Sequence, residues 1–215
     1  MEYTFGAHLP VPDTVRRGIM ALRRRFDFED DERSRFSPHI TVYLCRIGGL
    51  RDFREGLRRL VGARLRVPTV QLLAARMSRG DGSPLMYIGV RRSRSLDALH
   101  RAVVNTINPI RGKMVRAKDV ARMRSGALGA GGALLLRQFG YQDVAERFHP
   151  HVTVGTLRPH QSSLIVLDRF RQEPARWKAS KWRERRLVVG CYHFDEARGR
   201  YVGVCEEAVL DLCQT

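Results

Sequence analysis

The chain has 215 residues, 39 Lys plus Arg against 22 Asp plus Glu, a formal net charge of +17, and 43% hydrophobic residues. Such a composition builds a sizeable core and excludes a disordered chain, and the length allows one large domain or two lobes that share a core. No apolar run reaches the roughly 18 residues needed to span a bilayer, and MEYTFGAHLP has no basic region leading into a hydrophobic stretch, so a transmembrane or secreted chain is not expected. The charge favours phosphate-rich partners, but only four of the 39 basic residues are lysine, and charge by itself specifies no chemistry. Cys45, Cys191, Cys205 and Cys213 form no C-x-x-C pair, which removes zinc-ribbon and dithiol readings and suits a cytoplasmic protein.

Residues 2–9 alternate as a short strand, and Pro10-Val-Pro12-Asp13 leads into a helix whose apolar positions Val15, Ile19, Leu22 and Phe26 recur at helical spacing. An acidic loop (27–35) precedes a β-branched strand over 38–47, and Gly48-Gly49 opens a helix over 50–63. Strands follow at 67–77 and 84–91 around a turn at 79–83, then a helix capped by Ser95 and ended by Asn108-Pro109. Residues 110–147 show no clean period and are too long for an ordinary loop, so they are expected to be an insertion with some helix. The pattern then returns: a strand at 151–157, a helix at 162–170, and a hairpin of 186–194 with 200–210. The basic runs 16–26 and 178–186 suit solvated faces as well as a binding patch.

One sequence feature stands out from this background. Phe36-Ser-Pro-His-Ile-Thr-Val42 and Phe148-His-Pro-His-Val-Thr-Val154 agree at five of seven positions, half a chain apart, which chance would produce with odds on the order of one in ten thousand. On a strand, residues i and i+2 share a face, so His39 points with Thr41 and His151 with Thr153, while Ile40, Val42, Val152 and Val154 turn to a core. A duplication packed about a pseudo-two-fold axis would bring both pairs to one cleft. Two imidazoles that titrate near neutrality can divide the work of phosphodiester cleavage, one as base and one as acid, each role worth roughly 10²–10⁴ in rate. Two threonine hydroxyls can hold the non-bridging oxygens.

In these motifs the chain resembles the 2H phosphoesterase superfamily, and TFGAHLPVPDTVRRGI with FHPHVTV is most similar to its bacterial 2′-5′ RNA ligase and RNA cyclic phosphodiesterase group. The resemblance implies an α+β bilobal fold with a pseudo-two-fold axis, in which two mainly antiparallel sheets flank a central groove and helices lie outside. Residues 1–215 would form a single domain with lobes around 36–42 and 148–154. It also implies metal-independent cleavage, without a cofactor, of 2′,3′-cyclic phosphate RNA ends or 2′-linked nucleotides, and in some members the reverse ligation. The expected partner is RNA or a nucleotide, with no membrane. A non-catalytic RNA-binding module and a phosphodiesterase for a cyclic di- or oligonucleotide signal are the alternatives.

Tyr43, two residues beyond Thr41, is the expected stacking surface for a base. His149 is a candidate substrate contact, although Pro150 interrupts strand geometry there. Arg158 and Arg46 could clamp neighbouring phosphates. His149, His151 and His160 lack matching carboxylate or thiolate ligands, so no metal is expected. His8, His100 and His193 fit strand or helix surfaces without a role. Gly126–Gly132 lacks the G-K-[ST] ending of a nucleotide loop and reads as a flexible lid.

Overall fold

The computed structural model describes residues 2–26, 28–29, 36–78, 84–158, 163–172, 180–195 and 200–213. In chain order its elements are β1 (Glu2–Pro10), α1 (Asp13–Arg25), β2 (His39–Ile47), α2 (Leu50–Gly62), β3 (Thr69–Ser78), β4 (Leu85–Val90), α3 (Arg94–Ile107), α4 (Ala117–Arg124), α5 (Gly129–Phe139), a 3₁₀ turn (Ala145–Arg147), β5 (His151–Thr156), α6 (Ser163–Gln172), β6 (Lys181–Arg183), β7 (Arg186–Asp195) and β8 (Arg200–Asp211). The turn expected at 79–83 lies outside the described residues.

The strands are ordered β6-β3-β4-β5-β2-β1-β7-β8, and all their pairings are antiparallel. Where two sheets were expected, the strands form one eight-stranded sheet, whose halves β6-β3-β4-β5 and β2-β1-β7-β8 are joined at β5 and β2 through a single residue pair, Ile40 with Val152. The order is a palindrome of roles: β2 mirrors β5, β1 mirrors β4, and each motif strand stands at the seam. The lobes are not the two halves of the chain, because β7 and β8 return to pair beside β1.

The helices tie the lobes together. α1 connects β1 to β2 yet packs on β5, and α3 connects β4 to β5 yet packs on β2. Val15, Ile19 and Leu22 form the buried stripe of α1, as their spacing predicts. On α3 the buried stripe runs from Leu96 to Ile107. Its N-cap is Ser93, whose hydroxyl accepts from the Leu96 amide at 3.2 Å, rather than Ser95. The Ser95 hydroxyl instead accepts from the Thr69 amide at 3.0 Å, fastening the helix start to β3.

The short strand β6 falls inside the basic run 178–186 and pairs with β3 at the edge of the sheet. Three ladder pairs give too little pattern to read from sequence. Residues 110–147 are a packed helical excursion. Arg111 is fully buried and donates to the Asn108 side chain and to the Met114 and Arg137 carbonyls, while buried Arg116 pairs with Asp119 at 2.5 Å. Gly126–Gly132, expected as a lid, forms a turn with Gly126 and Gly129 at positive φ and then the first turn of α5. The other end of α5 is held behind β2, where the Tyr43 hydroxyl donates to the Phe139 carbonyl. Among the described residues no helix is long and apolar enough to cross a membrane.

Candidate active site

Each motif strand begins at its histidine, β2 at His39 and β5 at His151. Proline explains this: Pro38 and Pro150 have no N–H to give a ladder, so pairing starts one residue later. The chain before each proline folds back over the following ring in the same way. His39 Nδ1 lies 2.8 Å from the Ser37 carbonyl, and His151 Nδ1 lies 2.8 Å from the His149 carbonyl. A carbonyl can only accept, so both Nδ1 atoms carry the hydrogen, and in the neutral ring Nε2 is the nitrogen that bears the lone pair.

The Ile40–Val152 pair fixes how the two strands face each other. Ile40 and Val152 are fully buried on the core side, so their neighbours emerge together on the other face. In antiparallel register His39 then stands across from Thr153, and Thr41 across from His151. Two imidazoles and two hydroxyls thus form a square on one surface at the seam. The histidines sense each other: burial first, and then the charges of Arg23 and His151, hold His39 below the usual 6.5, against the opposing pull of its bond to Ser37.

Both strands bulge directly after the motif. Opposite β1 the register steps from His8–Thr41 to Ala7–Tyr43, and opposite β4 from Tyr87–Thr153 to Met86–Gly155. Val42 and Val154 are the extra residues, and each carbonyl there is clasped by a helix carrying the chain between the strands of the other lobe. His100 Nδ1 on α3 donates to the Val42 carbonyl at 2.8 Å. Arg23 Nε on α1 donates to the Val154 carbonyl at 2.7 Å, and the same guanidinium reaches the Thr153 and Phe36 carbonyls at 3.2 and 2.9 Å.

The bulge corrects the expectation for Tyr43. Strict alternation would place it beside Thr41, but the extra residue turns it to the core side, where it is fully buried and meets the Tyr141 ring at 6.3 Å. No base can stack on it there. Arg158 is also displaced: it is exposed beyond the end of β5, and at the rise of a strand its backbone is roughly 20 Å from that of His151. Arg46 pairs with buried Glu2 at 3.4 Å instead of facing the motif. His149 is exposed at the site, with its ring 5.7 Å from Tyr87 and 6.0 Å from His151. His160 lies outside the described residues. Burial pushes the Cys45 and Cys191 thiols up to about 12, so neither is poised as a nucleophile.

Several residues reach the site without a motif to announce them. His8, expected to be a surface residue, is buried beside Thr41 with its ring 4.3 Å from His39. Its counterpart in the other lobe is Tyr87, paired with Thr153 and 5.2 Å from the His151 ring. Burial and the nearby His39 hold His8 well below 6.5, so it is a neutral neighbour at neutral pH. His100, also expected at a surface, is buried and stacked on Phe148 at 3.9 Å.

The family model of the 2′-5′ RNA ligase superfamily matches residues 11–186. Solved structures share the fold. LigT of E. coli, crystallised with NADP+, is 15% identical with a TM-score of 0.55, covering 98% of each chain. TT0787 of Thermus thermophilus is 14% identical with a TM-score of 0.56, also covering 98% of each. A structure described as a phosphoesterase is 16% identical with a TM-score of 0.53, covering 98% of this chain and 99% of its own. No curated protein matches the sequence. With the family model spanning most of the chain and a shared bilobal fold, this chain belongs to the 2′-5′ RNA ligase superfamily of 2H phosphoesterases.

Proposed function

We propose that His39, Thr41, His151 and Thr153 form one active site that hydrolyses 2′,3′-cyclic phosphate ends of RNA, or related 2′-linked nucleotides, in the cytoplasm. Residues 1–215 act in it as a single bilobal unit. The observation that carries this reading is the square at the seam, with both Nδ1 atoms committed to backbone carbonyls, which makes Nε2 the nitrogen of each ring that can exchange a proton. LigT, which shares the fold, has been crystallised with NADP+ and with 3′-AMP, which supports a nucleotide in the groove.

His39 is neutral at neutral pH, because burial and neighbouring cations disfavour its charged form, and it serves as the base. It takes a proton from water as the water oxygen attacks phosphorus. The bond from phosphorus to one ribose oxygen breaks, and His151, entering as imidazolium, gives its Nε2 proton to that oxygen. Thr41 and Thr153 donate to the non-bridging oxygens, where charge accumulates. With a ribose 5′-hydroxyl in place of water as the attacking group, the same forward step joins a 2′-5′ linkage, the bond from phosphorus to the 3′ oxygen breaking as that oxygen takes the proton. None of these steps calls on a metal or a cofactor.

The test is a panel of 2′,3′-cyclic mononucleotides, cyclic-phosphate-ended RNA, 2′-5′ dimers and cyclic dinucleotides, with product analysis, for the native protein, His39→Ala and His151→Ala. Hydrolysis of a cyclic phosphate that survives EDTA and falls by orders of magnitude in each variant supports the reading. Salt-dependent RNA binding without turnover of any substrate would replace it with a binding module, and turnover confined to cyclic dinucleotides would move the substrate.

A further inference from the structure

Beside His39 the first-motif lobe carries a set of rings that the proton-transfer chemistry does not use. Gly6 on β1 and Gly190 on β7 are paired in register. A Cβ on Gly6 would sit 2.6 Å from the His8 ring and 2.8 Å from the Tyr192 ring, and one on Gly190 would collide with Tyr192 itself. The facing glycines therefore let His8 and Tyr192 lie down against the sheet. Phe36 stands edge-on above Tyr192, 5.9 Å away at 88°, and Tyr201 adjoins both at 6.1 and 6.5 Å. Phe36 and Tyr201 are partly exposed, whereas Tyr192 is buried beneath them.

This array starts at the reacting pair: His39 to His8, His8 to Tyr192 and Tyr192 to Phe36 are steps of 4.3, 5.8 and 5.9 Å. It ends at a cation. The Lys118 ammonium of α4 lies 5.1 Å from the Tyr201 ring and 5.4 Å from the Phe194 ring, and the α4 start is pinned to the same face by the Ala117 amide, which donates to Glu2 at 3.0 Å. The second-motif strand has no such array on its own side among the described residues; Tyr87 and His149 adjoin His151 there.

Resting on the phosphodiesterase reading above, we propose that Phe36 and Tyr201 hold the base of the nucleoside that bears the cyclic phosphate, and that Lys118 binds the phosphate on its 5′ side. The chemistry fits one strand of RNA: a base needs a π-face, which every base can use, and its 5′ phosphate needs a cation one nucleoside away from the scissile phosphate. The substrate class is then an oligonucleotide end in preference to an isolated cyclic mononucleotide, and residues 110–147, which supply Lys118, set that preference.

Steady-state kinetics with adenosine 2′,3′-cyclic phosphate and with an adenylyl dinucleotide ending in the same cyclic phosphate test this. The native protein is expected to prefer the dinucleotide about tenfold in kcat/KM, mostly through KM, and Lys118→Met, which keeps the apolar stem, is expected to bring that ratio close to one. Phe36→Leu and Tyr201→Leu are expected to raise KM by about tenfold with a smaller effect on kcat, as for loss of one stacking contact, and Tyr201→Phe to restore it. Equal use of both substrates by the native protein, or a ratio unmoved in Lys118→Met, overturns the proposal while leaving the phosphodiesterase reading intact. Hydrolysis of neither substrate by the native protein defeats that reading and this one together.

Discussion

The two motif strands have the same frame and different company. Each starts after a proline, anchors its histidine through Nδ1 to the carbonyl two residues back, bulges after its threonine, and has the bulge carbonyl clasped by a helix from across the seam. Around that frame, His39 has buried His8 and a ring shelf, with Arg23 behind it, whereas His151 has Tyr87 and an exposed His149. The repeated residues therefore fix geometry, and the unrepeated neighbours differ: burial and the nearby charges hold His39 below 6.5, and the base shelf proposed above lies on that side.

The largest effects should fall on the frame itself. His39→Ala and His151→Ala are each expected to cut kcat on a cyclic phosphate by about 10²–10⁴, with the double variant little worse than either single one, because the pair acts as a unit. Independent, multiplying losses would break the pairing.

Next come the clasps. Arg23→Ala strands the Phe36, Thr153 and Val154 carbonyls and is expected to cost about 3 kcal/mol, a fall of roughly 10 °C in Tm. His100→Phe keeps a ring against Phe148 and strands only the Val42 carbonyl, for about 1–2 kcal/mol. Equal losses in the two melts would mean that the clasps are equivalent after all.

The shelf gives a smaller contrast between glycines on matching strands. Gly6→Ala forces His8 and Tyr192 off the sheet and should cost about 1–3 kcal/mol. Gly89→Ala on β4 meets only an ordinary contact with Leu73 at 3.5 Å and should stay within about 0.5 kcal/mol.

The smallest effect is on stability against pH. His8, His39 and His100 are all held below 6.5 in the folded protein, so below that value the unfolded chain binds more protons than the folded one. Their contribution is complete above pH 6.5 and is lost as pH falls from there toward the lowered values. Tm should fall on acidification through this window, and His8→Phe should flatten the slope; a Tm that rises on acidification would contradict the burial of these rings.

Much of the fold can be read from the chain because its signals are local. The stripe Val15, Ile19, Leu22 on α1 and the alternation His39-Ile40-Thr41 each follow from one repeating geometry. The duplicated motif makes the candidate site legible, since two copies of a pattern imply two copies of a surface, and the two strands do meet at the seam. Tyr43 escapes that logic because a bulge adds one residue that no period announces, and a shift of one reverses every later side chain. His8, Arg23 and His100 escape it for a different reason: each meets its partner across the sheet or across the seam, and such contacts leave no spacing in the sequence. Composition misleads at 126–132, since the glycine and alanine that suggest a lid also pack closely in a helix such as α5.

The central claim, that two framed histidines divide acid and base work with His39 as base, is tested most directly by kcat/KM against pH on a 2′,3′-cyclic phosphate. The native protein should give a bell whose acid limb lies below 6.5; residual activity should lose the acid limb in His39→Ala and the alkaline limb in His151→Ala. A flat native profile, or an unchanged bell in either variant, would contradict it.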